Sequence, residues 1–289
     1  MKILLLGSSG FLGNYIYNQL NKKFNIYTNG RKKRKKELTN YIILEKLIIK
    51  IKPDVLINTS GLTNIDICEK KPNKSKKINL NLLKNIFLIK KKYNLGFKLI
   101  HFSTDQMYSP KKNIQNTEKN KTKSLNTYVR HKLKAEKICL KNNSIVFRLN
   151  LIGKSYASKK SLTDMVYQNL LRKLKIVGFV DSFYSPLSVN TVSEIIEKII
   201  LKKKNHISGL FNLGSKNGIS KYDLIVYFSK KIKLFDKNLI KKGKINAFCK
   251  TKRSKYNRLN NQKFIKKFNM NLPTTKSEIN KIAKYYEKN

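Results

Sequence analysis

Apolar positions in the first half of the chain follow two alternating rhythms. The runs 3–6, 54–58, 98–103 and 144–149 are almost continuously apolar, and Asn25–Thr28 joins them as a fifth, more polar run. Such short runs predict parallel strands covered on both faces. Between them, 11–21, Tyr41–Ile51 and 72–91 carry apolar residues at helical spacing. Leu12, Ile16 and Leu20 form one stripe, Ile78, Leu82, Ile86 and Ile89 another, and Pro72 suits a first helical turn. This βαβα order predicts an α/β fold with a doubly wound parallel sheet and right-handed crossovers. In the second half, 161–173, 191–203, 220–234 and 276–288 read as helices and 209–213 as a strand. No repeat or low-complexity linker marks a boundary.

The first strand ends in Gly7, and Gly10 and Gly13 follow at intervals of three residues. A strand, a glycine turn and a helix in succession present unpaired backbone N–H groups and a positive helix end to a pyrophosphate. Gly7 permits the tight turn, Gly10 the approach of phosphate, and Gly13 close helix–strand packing. After the second strand comes Asn29-Gly30-Arg31, with more basic residues to Lys36 and no acid to hold a ribose 2′-hydroxyl. Arg31 in this place favours the 2′-phosphate of NADP; the competing reading is a solvated basic loop. Two further strand ends are small and polar, Asn58-Thr59-Ser60-Gly61 and Ser103-Thr104-Asp105-Gln106. In open α/β sheets, ligands bind at that edge.

Tyr128 and Lys132 supply the candidate chemistry. Their i, i+4 spacing on a helix puts both side chains on one face. A phenol ionises near pH 10, and a neighbouring ammonium lowers that value. Such a phenol can protonate a carbonyl oxygen as hydride reaches the carbon, and Thr104 could hydrogen-bond the same oxygen.

Composition excludes more than it assigns. The 289 residues carry a formal net charge of +48. The lysines are scattered through every segment, and Asn and Ile are abundant while Ala is scarce, so codon bias accounts for the charge. A positive surface still speeds encounter with an anionic substrate, but no nucleic-acid reading module is present and no specific nucleic-acid partner is expected. Cys68, Cys139 and Cys249 are far apart with no zinc-type spacing, so neither a disulfide framework nor a metal site is expected. No apolar run reaches the roughly 18 residues of a membrane span, and a cytoplasmic protein without a membrane partner is expected.

The motifs together resemble the extended short-chain dehydrogenases/reductases, specifically the dTDP-4-dehydrorhamnose reductase group. The matching pieces are GSSGFLG at 7–13, KPDVLINTSGLTNIDICE at 52–69, HFSTDQMY at 101–108, YVRHK at 128–132, VFRLNLIG at 146–153, DSFYSP at 181–186, GLFNLGS at 209–215 and TKRSKYNRL at 251–259. They run in family order through most of the chain. The resemblance implies a Rossmann domain over 1–150. Residues 151–289 would form mainly a substrate-binding lobe, with some segments returning to the Rossmann sheet. It implies Tyr128 as proton donor, Lys132 on the nicotinamide ribose and Thr104 completing a triad. Cofactor contacts would come from Gly7, Ser9, Gly10, Phe11, Leu12, Gly13, Arg31, Thr59, Ser60, Gly61, Ser103, Tyr128 and Lys132. Substrate contacts would come from Thr104, Asp105, Gln106, Tyr108, Ser185, Pro186 and Arg253. The implied reaction is NADPH-dependent reduction of a 4-keto-6-deoxy nucleotide sugar for surface polysaccharide, with NADH as the alternative cofactor and a homodimer compatible with it. Three departures from the family pattern stand out: Gln106 in place of Tyr in S-T-D-Y-V-F, Tyr184 in place of Gly before Ser-Pro, and Ser254 in place of Pro after Arg253. His131 reads as a surface residue. Two other readings share the apparatus: an epimerase or dehydratase that retains NAD, and a non-catalytic nucleotide-binding subunit.

Overall fold

A computed structural model describes residues 1–29, 37–108 and 114–287. In chain order the first elements are β1 (Lys2–Leu6), α1 (Phe11–Leu20), β2 (Asn25–Thr28), α2 (Tyr41–Ile51), β3 (Val55–Asn58), α3 (Ile65–Lys70), α4 (Pro72–Lys76), α5 (Leu82–Lys92), β4 (Lys98–Phe102), α6 (Thr127–Lys141) and β5 (Ile145–Arg148). There follow β6 (Leu151–Ile152), α7 (Leu162–Leu171), β7 (Ile176–Phe179), β8 (Phe183–Tyr184), β9 (Leu187–Ser188), α8 (Val189–Leu201), β10 (Gly209–Asn212), β11 (Ile219–Ser220) and α9 (Lys221–Lys231). The last are β12 (Ile240–Gly243), α10 (Ile245–Phe248), β13 (Tyr256–Asn257), α11 (Gln262–Phe268) and α12 (Thr275–Ala283).

The described residues divide into two compact units, one drawn from 1–103, 126–147 and 193–211, the other from 104–125, 148–192 and 212–289. The first is a six-stranded sheet in the order β10-β5-β4-β3-β1-β2. Strand pairs β1–β2, β1–β3, β3–β4 and β4–β5 are parallel. The chain reverses direction across the sheet after β2, so the turns following β1 and β3 lie at a topological switch point, where open α/β sheets take ligands. β3 and β5 are buried throughout, whereas edge strand β2 alternates exposed and half-buried positions. That explains why its run is the more polar. Leu4, Leu6, Leu44, Ile48, Leu56, Leu83, Ile86, Leu99 and Val146 share one core, each fully buried side chain stabilising by about 1.5–3 kcal/mol.

The long helix expected over 72–91 is interrupted. Pro72 occupies its first turn as anticipated, but a π-turn over Lys77–Asn81 separates α4 from α5. The extra residue turns Asn79 and Leu80 inward and leaves Ile78 half-buried. Single π-turns occur frequently at functional sites, and this one carries the buried Asn79.

In the second unit, Ile152, Val166, Tyr184, Leu224, Phe228, Ile240, Ile279, Ile282 and Tyr286 form the core. β11, β8 and β13 make a small mixed sheet, and β7 pairs in parallel with β12. Residues 104–125 belong here, not to an unbroken 1–150 block. Asn116 Nδ2 donates to the carbonyls of Tyr256 and Arg258 at 2.9 and 3.0 Å, and Ser254 Oγ to that of Tyr108 at 2.9 Å. Residues 193–211, carrying most of α8 and β10, return to the first unit.

Glu278 ties two elements of this unit together. Its carboxylate is buried and accepts the Ser188 N–H and, at 2.8 Å, the Thr191 hydroxyl. Glu278→Leu is expected to cost about 1–3 kcal/mol for each donor left without a partner, read as a lower urea midpoint. Among the described residues no helix is long and apolar enough to cross a membrane.

Candidate active site

The glycine turn has no room for a Cβ at Gly7 or Gly13. Gly7 has φ +86, and a Cβ there would sit 2.7–2.8 Å from Ser60 N, Ser60 Oγ and Thr59 Oγ1. At Gly13 it would lie 2.1 Å from the Gly7 carbonyl oxygen and 2.6 Å from Thr59 Oγ1. The turns after β1 and β3 are therefore in contact. They are pinned by Thr59 Oγ1 donating to the Leu6 carbonyl at 2.8 Å, and by Gly7 N donating to Asn29 Oδ1 at 3.2 Å. Gly10 caps α1 without a side-chain hydrogen bond, so the first N–H groups of that helix remain available. Leu12 is buried, Ser9 and Phe11 are half-buried, and Phe11 packs edge-on against Tyr15.

Asn79 holds the other side of this cradle. Its Oδ1 accepts from Leu62 N at 2.9 Å and its Nδ2 donates to the Leu62 carbonyl at 3.0 Å, fixing the backbone beyond the exposed Gly61. Three buried hydroxyls in this unit, Ser8 Oγ, Ser60 Oγ and Ser103 Oγ, have no protein partner among the described residues. Buried hydroxyls without a partner are costly. They sit on the ends of β1, β3 and β4, where a polar, phosphate-bearing group would satisfy them. The residues present fit a dinucleotide. Arg31 lies outside the described residues.

Helix α6 delivers Tyr128 and Lys132. Its start is doubly anchored: Asn126 Oδ1 accepts from Val129 N at 3.0 Å, and Glu69 Oε2 from Thr127 N at 2.8 Å. An acid at that position also suits the positive end of the helix. Tyr128 is buried to 6% exposure, and Lys132 is buried one turn later. Lys132 Nζ donates to the Phe102 carbonyl at 2.6 Å and lies 3.0 Å from His101 Nε2. Burial pushes the lysine down to about 8, and pushes His101 well below its ordinary value, with the Lys132 charge adding to the effect. His131 is buried, in contrast to its expected place on the surface. The π-turn lets Asn79 bond Ser75 at 3.2 Å, and Ser75 Oγ meets His131 Nδ1 at 2.9 Å. The imidazole closes a structural network behind α6.

The predicted substrate residues gather in the second unit. Thr104 Oγ1 accepts from Gln106 N at 3.2 Å. The Asp105 carboxylate is fully buried and receives Asn150 Nδ2 at 3.1 and 3.2 Å and Gln106 Nε2 at 3.2 Å. Burial pushes it up to about 6 against these hydrogen bonds and the field of Lys221. Tyr108 is turned away from solvent: its hydroxyl donates to Asn212 Oδ1 at 2.5 Å and accepts from Arg148 at 3.0 Å. Both of these partners lie in this unit. Ser185 Oγ accepts from Leu259 N at 3.2 Å, Pro186 is buried, and Arg253 is half-buried. Lys221, which sequence reasoning missed, heads α9 with Nζ 5.9 Å from the rings of both Phe179 and Tyr184. Burial lowers its pKa, Asp105 opposes that, and Arg253 adds to it. A lysine in so lysine-rich a chain gives no signal of its own. Its place next to Ser220, which caps α9 by accepting from Asp223 N, was the available hint.

The Asp105 value sets a pH dependence. The folded state holds a proton between pH 3.8 and about 6 that the unfolded chain has released, so stability falls as pH rises through that window. Asp105→Asn should remove this slope. Relative to wild type, its unfolding free energy should gain up to about 3 kcal/mol between pH 4 and pH 7, measured from urea midpoints at both values.

The model of the RmlD substrate binding domain matches residues 1–288. The chain belongs to that family. The dTDP-4-dehydrorhamnose reductase of Shigella flexneri is 26% identical over 237 residues, 78% of this chain and 77% of the relative. Methionine adenosyltransferase 2 subunit beta of Mus musculus is 24% identical over 237 residues, covering 77% of this chain and 70% of that one. Among solved structures, a dTDP-4-dehydrorhamnose reductase from Clostridium acetobutylicum superposes with TM-score 0.87 at 23% identity, over 99% of each chain. The NADP complex of a dTDP-4-dehydrorhamnose reductase from Bacillus anthracis does so with TM-score 0.86 at 18% identity, over 97% of this chain and 98% of that one. These similarities establish the fold. Tyr184, which the sequence sets apart from the pattern it resembles, places its ring in the core of the second unit. Its hydroxyl is buried without a partner among the described residues, and burial drives its pKa up.

Proposed function

We propose that this protein is an NADPH-dependent reductase of a 4-keto-6-deoxy nucleotide sugar, of the dTDP-4-dehydrorhamnose reductase type, with NADH as the alternative cofactor. The product would serve surface-polysaccharide synthesis. The observation that carries the reading is the pairing, in one unit, of a glycine turn with no room for a Cβ at Gly7 or Gly13 and unsatisfied hydroxyls beside it with a buried tyrosine and lysine one helical turn apart. When bound, the dinucleotide supplies hydride. The chain supplies the rest. The backbone of Gly7–Gly13, with Ser9, Phe11 and Leu12, cradles the phosphates, and Arg31 meets the 2′-phosphate. Thr59, Ser60, Gly61 and Ser103 border the rest of the dinucleotide.

Tyr128 Oη holds the proton that the carbonyl oxygen takes up, and Thr104 Oγ1 orients that oxygen. Lys132 in its charged form stabilises the phenolate left behind and holds the nicotinamide ribose. Asp105, Gln106, Ser185, Pro186 and Arg253 contact the nucleotide sugar. Tyr108, whose hydroxyl is bonded to Asn212 and Arg148, is the remaining contact to the sugar that the family resemblance implies. A second reading, a nucleotide-binding subunit of a partner enzyme, draws on the match to methionine adenosyltransferase 2 subunit beta. The test is a panel of 4-keto-6-deoxy sugars carried on dTDP, UDP and GDP, each incubated with NADPH. Reduction of at least one supports the reductase. Silence across the panel, with a stable partner copurifying, overturns it in favour of the subunit.

A further inference from the structure

Behind Lys132 lies a buried chain of polar groups whose directions are fixed from one end. Ser60 N–H can only donate, and it donates to Asn58 Oδ1 at 3.0 Å. The Asn58 amide is thereby oriented, and its Nδ2, also a donor, faces His101 Nδ1 at 3.3 Å. His101 Nδ1 must then accept, which leaves the proton of the neutral imidazole on Nε2, 3.0 Å from Lys132 Nζ. An N–H pointed at a lysine nitrogen is satisfied only by an amine with a lone pair. Asn58, His101 and Lys132 are 2%, 1% and 4% exposed, so water does not repair a mismatch, and two donors set face to face there would be costly.

We propose that His101 is a positioning residue for Lys132, tilting it toward its amine form, against the charged form that the reaction uses, through an Nε2–H bond whose direction is set by Asn58 and Ser60. This rests on the reading of Lys132 as the partner of Tyr128. Proton uptake by Lys132 requires the imidazole proton to move to Nδ1. There it confronts Asn58 Nδ2 and releases the amide from its fixed orientation. The charge of Lys132 is in this way coupled to the turn after β3 that borders the glycine cradle. The low titration of Lys132 and the neutral state of His101 agree with this. The other groups acting on Lys132 are Glu136 and Cys139 on its own helix, with Tyr128 one turn before. Of the helices packed against α6, α3 brings Glu69 to Thr127 N–H and α4 brings Lys76 toward His131.

The test is the titration of Lys132 in the full chain without substrate, followed by NMR of protein carrying ¹³C at the lysine ε-carbon. The signal is assigned by its loss in Lys132→Met. Wild type should titrate near pH 8. His101→Leu removes the donor that favours the amine, so the titration should rise by about one pH unit, a tenfold change in proton affinity. Asn58→Ala frees the tautomer and should shift it in the same direction; it decides the matter if His101→Leu does not fold. A fall or no change overturns the proposal, because an imidazole acting as acceptor would favour the ammonium and its loss would lower the value. No substrate is present, so this outcome leaves the reductase reading to the turnover of wild type.

Discussion

Tyr128→Phe is expected to lower kcat by about 10²–10⁴-fold, the usual contribution of a general acid, while the dissociation constant for NADPH stays unchanged. The substitution removes one oxygen from a side chain that is 6% exposed and leaves its ring to fill the same space. The fold and the glycine cradle should therefore persist. The two readouts separate roles: a lost proton donor slows the chemical step, whereas a residue that mainly held the dinucleotide would weaken its binding. Stopped-flow turnover together with a fluorescence titration of NADPH measures both. Retained turnover would remove Tyr128 from the chemistry.

Gly13→Ala should damage the cradle itself. The added methyl would meet a backbone carbonyl oxygen at 2.1 Å, and neither the carbonyl nor the neighbouring Gly7 carbon at 2.8 Å can swing aside as a long side chain could. The Gly7 carbonyl also accepts the Gly10 N–H at 2.9 Å, so moving it disturbs the whole turn. Overpacking of this kind costs about 1–3 kcal/mol, more where nothing yields. Cofactor affinity should fall by at least about tenfold, or about 1.4 kcal/mol. Gly96→Ala provides the contrast, because nothing lies within 4 Å of the added methyl. It should leave affinity unchanged and stability equal or slightly higher. Thermal melts and NADPH titrations of the two variants check the pair.

The features legible in the sequence are those that repeat or that chemistry forbids elsewhere. Continuous apolar runs marked β1, β3, β4 and β5, and the glycines at 7, 10 and 13 marked the turn, because a side chain has no room at Gly7 or Gly13. Tyr128 and Lys132 were legible through their spacing on α6. Single polar residues inside apolar elements were not. Asn58 and His101 end or interrupt strands that read as hydrophobic, and their meaning lies in a network reaching Lys132 across two strands and a helix. Asn79 was hidden because the π-turn that aims it has no sequence mark, and His131 was misplaced on the surface for the same reason. Short strands such as β7 and β12, paired only with each other among the described residues, left no periodic signal. Chain order is a poor guide to the units where a loop finds its partner 140 residues later, as Asn116 does at Tyr256.

The most direct measurement is the stoichiometry of cofactor to sugar in one reaction mixture. Purified protein, NADPH and dTDP-4-keto-6-deoxy sugar should yield one oxidised cofactor for each ketone reduced, with Tyr128→Phe slowing both together. A sugar converted while the cofactor returns unchanged, or a rate indifferent to the phenol, would contradict the account.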